Sequence, residues 1–397
     1  MASAVIVSAA RTPIGKMGGS LSTVAPADLG AAAIRAACER AAIPDLAAID
    51  EVLMGNVVSA GLGQNIARQC GLHAGIPASV GAMTINKVCG ASLKAVMLAA
   101  QAIKAGDGNL FVTGGVESAS HAPHLLRGRQ SSFRYGEVAV EDALHVDGLQ
   151  CAFEGWPMGN AAEFIADEFG LTREDMDTYA LASHRKAAAA IDAGHFVAEI
   201  APVTVPTRGG NVLVDTDEPV RRDTSLEALG RLRPAFQPDG RVTAGNAPGL
   251  NDASAALVVA STEYAASARM TPLAHVVGYG QAAAEPKWIF DAPAHAIPAL
   301  LDKVGWSLDD VDLFEVNEAF AAQILANGKA LQDAGWDWDR INVNGGAIAL
   351  GHPLGATGAR LLTTLIYALI QRDAHRGVAA LCLGGGEAVA LAIERRD

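Results

Sequence analysis

The sequence predicts an α/β fold of two similar halves with a long insertion in the first, and three observations carry that prediction. Short apolar, β-branched runs such as Val5-Ile6-Val7 and Leu110-Phe111-Val112 alternate with Ala-rich segments. In those segments apolar residues recur at helical spacing, as Leu93, Val96, Met97, Ala100 and Ile103 do. Second, Cys89-Gly90-Ala91 opens a helix that leads to the strand end Phe111-Val112-Thr113-Gly114-Gly115. Late in the chain Gly355-Ala356-Thr357-Gly358 opens another, leading to Leu381-Cys382-Leu383-Gly384-Gly385-Gly386. Third, the stretch from His121 to Gly249 is richer in charge, Pro and turn residues, as in Thr207-Arg208-Gly209-Gly210 and Arg233-Pro234, which marks an inserted loop or lid region. The expected division is 1–120 for the first half, completed by 250–270, with 121–249 inserted and 271–397 as the second half.

A chain of 397 residues exceeds one simple core. With half its residues hydrophobic and only 5% aromatic, the interior is built mainly from Ala, Val, Leu and Ile, and 42 glycines permit close backbone packing. A formal charge of -13 argues against nucleic acid or an anionic membrane surface as a partner, since both require a basic face. Cys38, Cys70, Cys89, Cys151 and Cys382 show no close C-x-x-C spacing, so neither a disulfide framework nor a metal site is expected, and a reducing compartment suits them. The first apolar run, Ala4 to Ala10, has no basic segment before it, and no stretch of about 20 uninterrupted apolar residues follows; the expectation is a cytoplasmic protein without a membrane span.

Four segments have the chemistry of a site. Cys89 lies where a helix starts, and there the amide partial charges favour an anion and lower a thiol pKa below its free value of about 8.5; the alternative is a thiol that merely packs. His352 stands in the glycine-rich run 344–358, followed by Pro353, as an imidazole presented on a tight loop; a structural hydrogen bond or a phosphate cradle are the competing readings, although neither GxGxxG nor GxxxxGK[ST] is matched. Cys382 closes the strand 378–381 ahead of three glycines whose amides suit an oxyanion, or else it is a buried structural thiol. Asn317 and Glu318 follow the alternating stretch 311–316, where Asn317 reads as a helix N-cap and Glu318 as a first-turn acid complementing the dipole.

Taken in order, NKVCGASLKA, GGVESAS, LRPAF, VTAGNAPGLNDASAA, VNEAFAA, NVNGGAIALGHPLGATGAR and CLGGG resemble the thiolase family nearly end to end. The resemblance implies a duplicated five-layer α-β-α-β-α fold with an inserted loop domain, assembled as a homotetramer or homodimer. It implies CoA thioesters as substrates, acyl-CoA and CoA as partners, and no tightly bound cofactor or metal. By the same resemblance Cys89 takes the acyl group with His352 as base, and Cys382 removes the α-proton of a second acetyl-CoA for a Claisen condensation. Asn317, through a water, and His352 make one oxyanion site, while the amides of Cys89 and Gly384 make the other. Arg221, Met158, Ala244, Pro248 and Phe320 correspond to CoA-contacting positions. The run from Arg11 to Lys16, with Asp147-Gly148-Leu149 and Pro157-Met158-Gly159, is closest to the biosynthetic acetoacetyl-CoA type.

Several positions depart from that pattern. Pro248 replaces a serine, Pro157 a histidine, Ile289 a methionine and Phe290 a glycine, and Glu387 follows the triple glycine where an apolar residue is usual. These changes are expected to reshape the acyl pocket and to move the preference away from acetoacetyl-CoA. Among other readings, a decarboxylating ketoacyl synthase would replace the second thiol with histidine. A Cys-His hydrolase would leave Cys382 without a task, and a non-catalytic acyl-CoA or lipid binder would not require all three side chains.

Overall fold

The computed structural model describes residues 3–127 and 137–396; residues 128–136, within the segment expected to be inserted, and residues 1, 2 and 397 lie outside the described residues. The chain opens with β1 (Ala4–Arg11) and the two-residue β2 (Gly15–Lys16), then passes through β3 (Glu51–Gly55), β4 (Gly81–Ile85) and β5 (Leu110–Ser118). It then leaves the main sheet. Two small two-stranded sheets, β6 (His124–Leu125) with β7 (Glu141–Asp142) and β8 (Val203–Thr207) with β9 (Gly210–Val214), accompany the helices Met158–Glu168 and Arg173–Asp192. The return is made by β10 (Asn251–Ser261), and β11 (Ala274–Ala283), β12 (Leu313–Val316), β13 (Arg376–Leu383) and β14 (Glu387–Glu394) complete the sheet.

Among the described residues the main sheet has ten strands in the order β12-β13-β14-β11-β1-β10-β5-β3-β4, with β2 against β10. Its two sides repeat one pattern. β1 is antiparallel to β10, β10 to β5, and β5 parallel to β3; likewise β11 is antiparallel to β14, β14 to β13, and β13 parallel to β12. The halves join where Val5 pairs with His275 and Ile6 with Ala274.

Side-chain alternation turns this sheet into layers. In β1, Ala4, Ile6 and Ala9 face a core shared by both halves, while Val5, Val7 and Ala10 pack outward with the helix Pro26–Arg40. In β13, Ala379, Leu381 and Leu383 face the same shared core, while Val378 and Ala380 join the outer helix Ala292–Val304. Two central helices, Ala91–Ala105 and Thr357–Gln371, fill the space between. The result is helix, sheet, helix, sheet, helix. Residues 88–105 are long and apolar enough to resemble a membrane span, but Leu93, Val96, Met97 and Ile103 are buried between the sheets.

Charge ties the 119–250 segment to β1. Arg11, fully buried, donates to both carboxylate oxygens of Asp217 at 2.8 and 2.9 Å and to Glu199 at 2.5 Å. Removing Arg11 would leave the carboxylates of Asp217 and Glu199 unpaired in the interior, the expensive case for buried ions.

Two local expectations need correction. Asn317 does not cap a helix and Glu318 is not in a first turn. The Asn317 N–H donates to the Ala380 carbonyl at 2.9 Å and extends the ladder past β12; Phe320 is still in extended conformation (φ -157°, ψ 155°), so the helix spans Ala321–Ala330. Cys382 stands one residue before the end of β13, opposite Ala388.

Candidate active site

The turn before the first central helix is strained. Val88 has φ +46°, a left-handed conformation that a β-branched residue adopts only where its surroundings impose it. Its N–H donates to Asn86 Oδ1 at 2.9 Å, and its carbonyl accepts from the Ala91 N–H at 3.0 Å. Cys89 is thereby held one residue before the N-cap, Gly90, and keeps partial exposure although protein surrounds it. The expected fall in its pKa is not found. Burial pushes the thiol up to about 12, against a lowering by its own backbone amide, with Glu117 adding to the rise. Desolvation of the thiolate thus works against the helix start.

His352 follows Gly351, whose φ of +110° and close approach to the Asn251 side chain, 2.6 Å from where a Cβ would stand, leave room for glycine only. The His352 N–H donates to Asn251 Oδ1 at 2.9 Å. Thr357 Oγ1 donates to the Pro353 carbonyl at 2.9 Å and lies 2.7 Å from His352 Nδ1. Because that hydroxyl has spent its one proton, it accepts from Nδ1–H, which assigns the Nδ1 tautomer and leaves Nε2 as the acceptor. Asn317 Nδ2 lies 3.5 Å from Nε2. Burial, and then Arg360, lower the His352 pKa to about 3, so the imidazole is neutral and able to accept a proton.

Cys382 is 2% exposed and packs with Ile289, Phe290 and Ile348. Burial raises its pKa well above the usual thiol value, and the neighbouring Cys89 raises it further. One cavity of about 700 Å³ is walled by Cys89, His352, Cys382 and Gly384 together, a size suited to a thioester-bearing arm. Four of the sequence-derived catalytic positions thus share a wall, and the fifth, Asn317, lies behind it at His352 Nε2 with its Oδ1 without a partner among the described residues. Met158, Pro248 and Phe320 also line the cavity, as do the substituted Pro157, Ile289 and Phe290. Arg221 and Ala244 are exposed and do not line it, and Glu387 pairs with Lys87 instead.

Other wall residues lie within the quoted motifs but had no role assigned from the sequence. Leu149 and Phe236 come from the 119–250 segment, and Asn86 and Glu117 from the first half. Glu117, a carboxylate inside the apolar β5, is the one whose residue type stands out against its neighbours. It accepts from the N–H groups of Val57 at 3.0 Å, Val58 at 3.1 Å and Gly355 at 2.8 Å, which joins the first half to the His352 loop. Burial still raises its pKa, to about 7. No three His, Cys, Asp or Glu side chains among the described residues converge as a metal site would.

Fold and site together define a duplicated α/β enzyme with two thiols and an imidazole on one cavity. The chain belongs to the thiolase family: residues 4–263 match the thiolase N-terminal domain and residues 270–395 the thiolase C-terminal domain. It is 50% identical over 398 residues to the acetyl-CoA acetyltransferase of Cupriavidus necator and 51% identical over 396 residues to that of Escherichia coli, with all of each chain covered. Among solved structures, the acetyl-CoA acetyltransferase of Bacillus anthracis superposes with a TM-score of 0.96 at 41% identity, covering 99% of both chains, and that of Syntrophomonas wolfei with 0.97 at 40%, covering 100% of both.

Proposed function

We propose that the protein is an acetyl-CoA C-acyltransferase that condenses acetyl-CoA with a short acyl-CoA and, in reverse, cleaves a 3-ketoacyl-CoA with CoA. The observation that carries this reading is the convergence of Cys89, His352 and Cys382, from three distant segments, on one cavity. The names of relatives about half identical over the full length support it.

Cys89 Sγ attacks the thioester carbonyl while His352 Nε2 accepts its proton and passes it to the departing CoA sulfur. For the second half, His352 takes the proton of Cys382, and the resulting thiolate removes an α-proton from acetyl-CoA. A thiol raised by burial gives a strong base once ionised, which suits a weakly acidic C–H. The carbanion attacks the acyl carbonyl on Cys89, the Cys89 thiolate departs, and it recovers the proton from His352. The amides of Cys89 and Gly384 stabilise one oxyanion, and His352 with a water on Asn317 Oδ1 the other.

Phe290 stacks edge-on against Phe320 at 5.4 Å, and both stand beside Cys382 in one apolar cluster. That wall bounds the acyl end, and in this reading the bulk of Phe290 there favours short chains. CoA thioesters are the only carriers required, with Arg221 and Ala244 meeting the exposed nucleotide end. The five free cysteines suit a reducing, cytoplasmic location, and a homotetramer or homodimer is the proposed assembly.

Thiolysis of 3-ketoacyl-CoA substrates of increasing length, with the products identified, tests the reading. Acetoacetyl-CoA and CoA are expected to give two acetyl-CoA, with kcat/KM falling as the chain grows. Release of free acid would instead assign a hydrolase, and a requirement for a malonyl thioester a ketoacyl synthase.

A further inference from the structure

We propose that Lys87 and Glu387 are positioning residues whose ion pair straps the turn carrying Cys89 to the hairpin carrying Cys382 and so fixes the separation of the two sulfurs. This rests on the roles given above to Cys89 and Cys382.

The pair joins positions 300 apart in sequence, Lys87 Nζ to Glu387 Oε2, with side chains 21% and 36% exposed. Lys87 stands two residues before Cys89. Glu387 opens β14 directly after the triple-glycine turn, with its backbone paired to Leu383 on one side and Ala283 on the other. The sheet therefore fixes Glu387, while the Lys87 turn bends around the left-handed Val88 and would relax if released. The two loops touch where they meet. A Cβ at Gly384 would lie 3.3 Å from Val88 Cγ1, and one at Gly90 only 2.5 Å from Leu383 Cδ2. Apolar contact alone lets such surfaces slide, whereas an ion pair across the seam selects one register. Lys94, on the first turn of the central helix, is the other charge facing the pair; burial and then Lys87 lower its pKa, and Glu387 opposes the fall. Glu387 thus balances two cations at the helix start, which explains why a charge follows the glycines here.

A partly exposed pair contributes little to global stability, so its effect belongs in the chemistry. Glu387→Gln, Lys87→Met, Lys87→Arg and the Lys87→Met/Glu387→Gln double variant of the full chain are compared with the parent for thiolysis of acetoacetyl-CoA, carbamidomethylation of Cys89 by iodoacetamide, and Tm. Displacement of reacting groups by a fraction of an ångström is expected to lower kcat about tenfold in each neutralising single variant. KM and Tm should be nearly unchanged, the double variant no worse than either single, and Lys87→Arg close to the parent. Singles with parental kcat, losses that multiply in the double, losses that follow Tm, or Lys87→Arg as poor as Lys87→Met would overturn the proposal. A parent that neither thiolyses nor becomes acetylated at Cys89 would overturn the catalytic reading beneath it, which normal parental activity with insensitive variants would leave standing.

Discussion

Glu318→Ala separates a surface-type helix acid from a buried anchor. Glu318 is 1% exposed and accepts four hydrogen bonds: from Tyr179 Oη at 2.8 Å and Asn342 Nδ2 at 3.1 Å on Oε1, and from Ser183 Oγ at 2.8 Å and the Ile348 N–H at 3.0 Å on Oε2. Removing the carboxylate strands four donors drawn from three segments. Each buried donor left unsatisfied costs about 1–3 kcal/mol, and rotation of the two hydroxyls with entry of water recovers part, which gives a net loss of about 3–5 kcal/mol. An acid that only complemented a helix dipole would contribute about 0.3–1 kcal/mol. With an unfolding entropy of about 2 cal/mol/K per residue, the whole chain changes by about 0.8 kcal/mol/K, so Tm should fall by about 4–6 °C in a scanning calorimeter. Glu318→Gln keeps one acceptor oxygen and should fall about half as far. kcat should drop as well, because Asn342 and Ile348 hold the segment that leads into His352. A Tm loss of about 1 °C or less for Glu318→Ala would refute the anchor.

Cys382→Ser should retain acetyl transfer from acetyl-CoA onto the enzyme while condensation falls by about 10²-fold or more, since a buried hydroxyl is a far weaker source of base; equal loss of both steps, read by adduct formation and acetoacetyl-CoA synthesis, would contradict the division of labour. Phe290→Gly should raise kcat/KM for a six-carbon 3-ketoacyl-CoA relative to acetoacetyl-CoA by about tenfold, the scale of a methylene or two in an apolar pocket, and an unchanged ratio would remove Phe290 from the acyl wall. Burial raises Glu117 to about 7 from 4.5. The folded state therefore holds its proton to higher pH than the unfolded chain, so this contribution is full below about pH 4.5 and is lost as pH rises through about 7. In urea titrations Glu117→Gln should flatten the decline in stability between those limits, and an identical slope would refute the burial assigned to Glu117.

How much was legible in the sequence follows from how local each signal is. Cys89 before an apolar helix, Gly351 before His352 and the glycines after Cys382 are short-range patterns, and they marked residues that the structure gathers on one cavity. The repeated alternation of strands and Ala-rich helices likewise carried the duplicated α/β fold. Signals fixed by distant partners were not readable. Asn317 looked like a cap because nothing nearby announces that Ala380 captures its N–H, and Glu318 looked superficial because its partners lie at 179, 183, 342 and 348. The thiol pKa was read in the wrong direction for the same reason: the helix start is local, whereas the desolvation that outweighs it comes from the whole fold. Glu387 had no rationale until Lys87 stood opposite it.

The central claim is that one sulfur carries the acyl group, and mass spectrometry of the intact protein after incubation with acetyl-CoA, followed by peptide mapping, tests it most directly. A single acetyl adduct on the peptide containing Cys89, absent from Cys89→Ala and discharged by added CoA, is the expected result. Turnover without any adduct, or an adduct mapped to Cys382 alone, would contradict it.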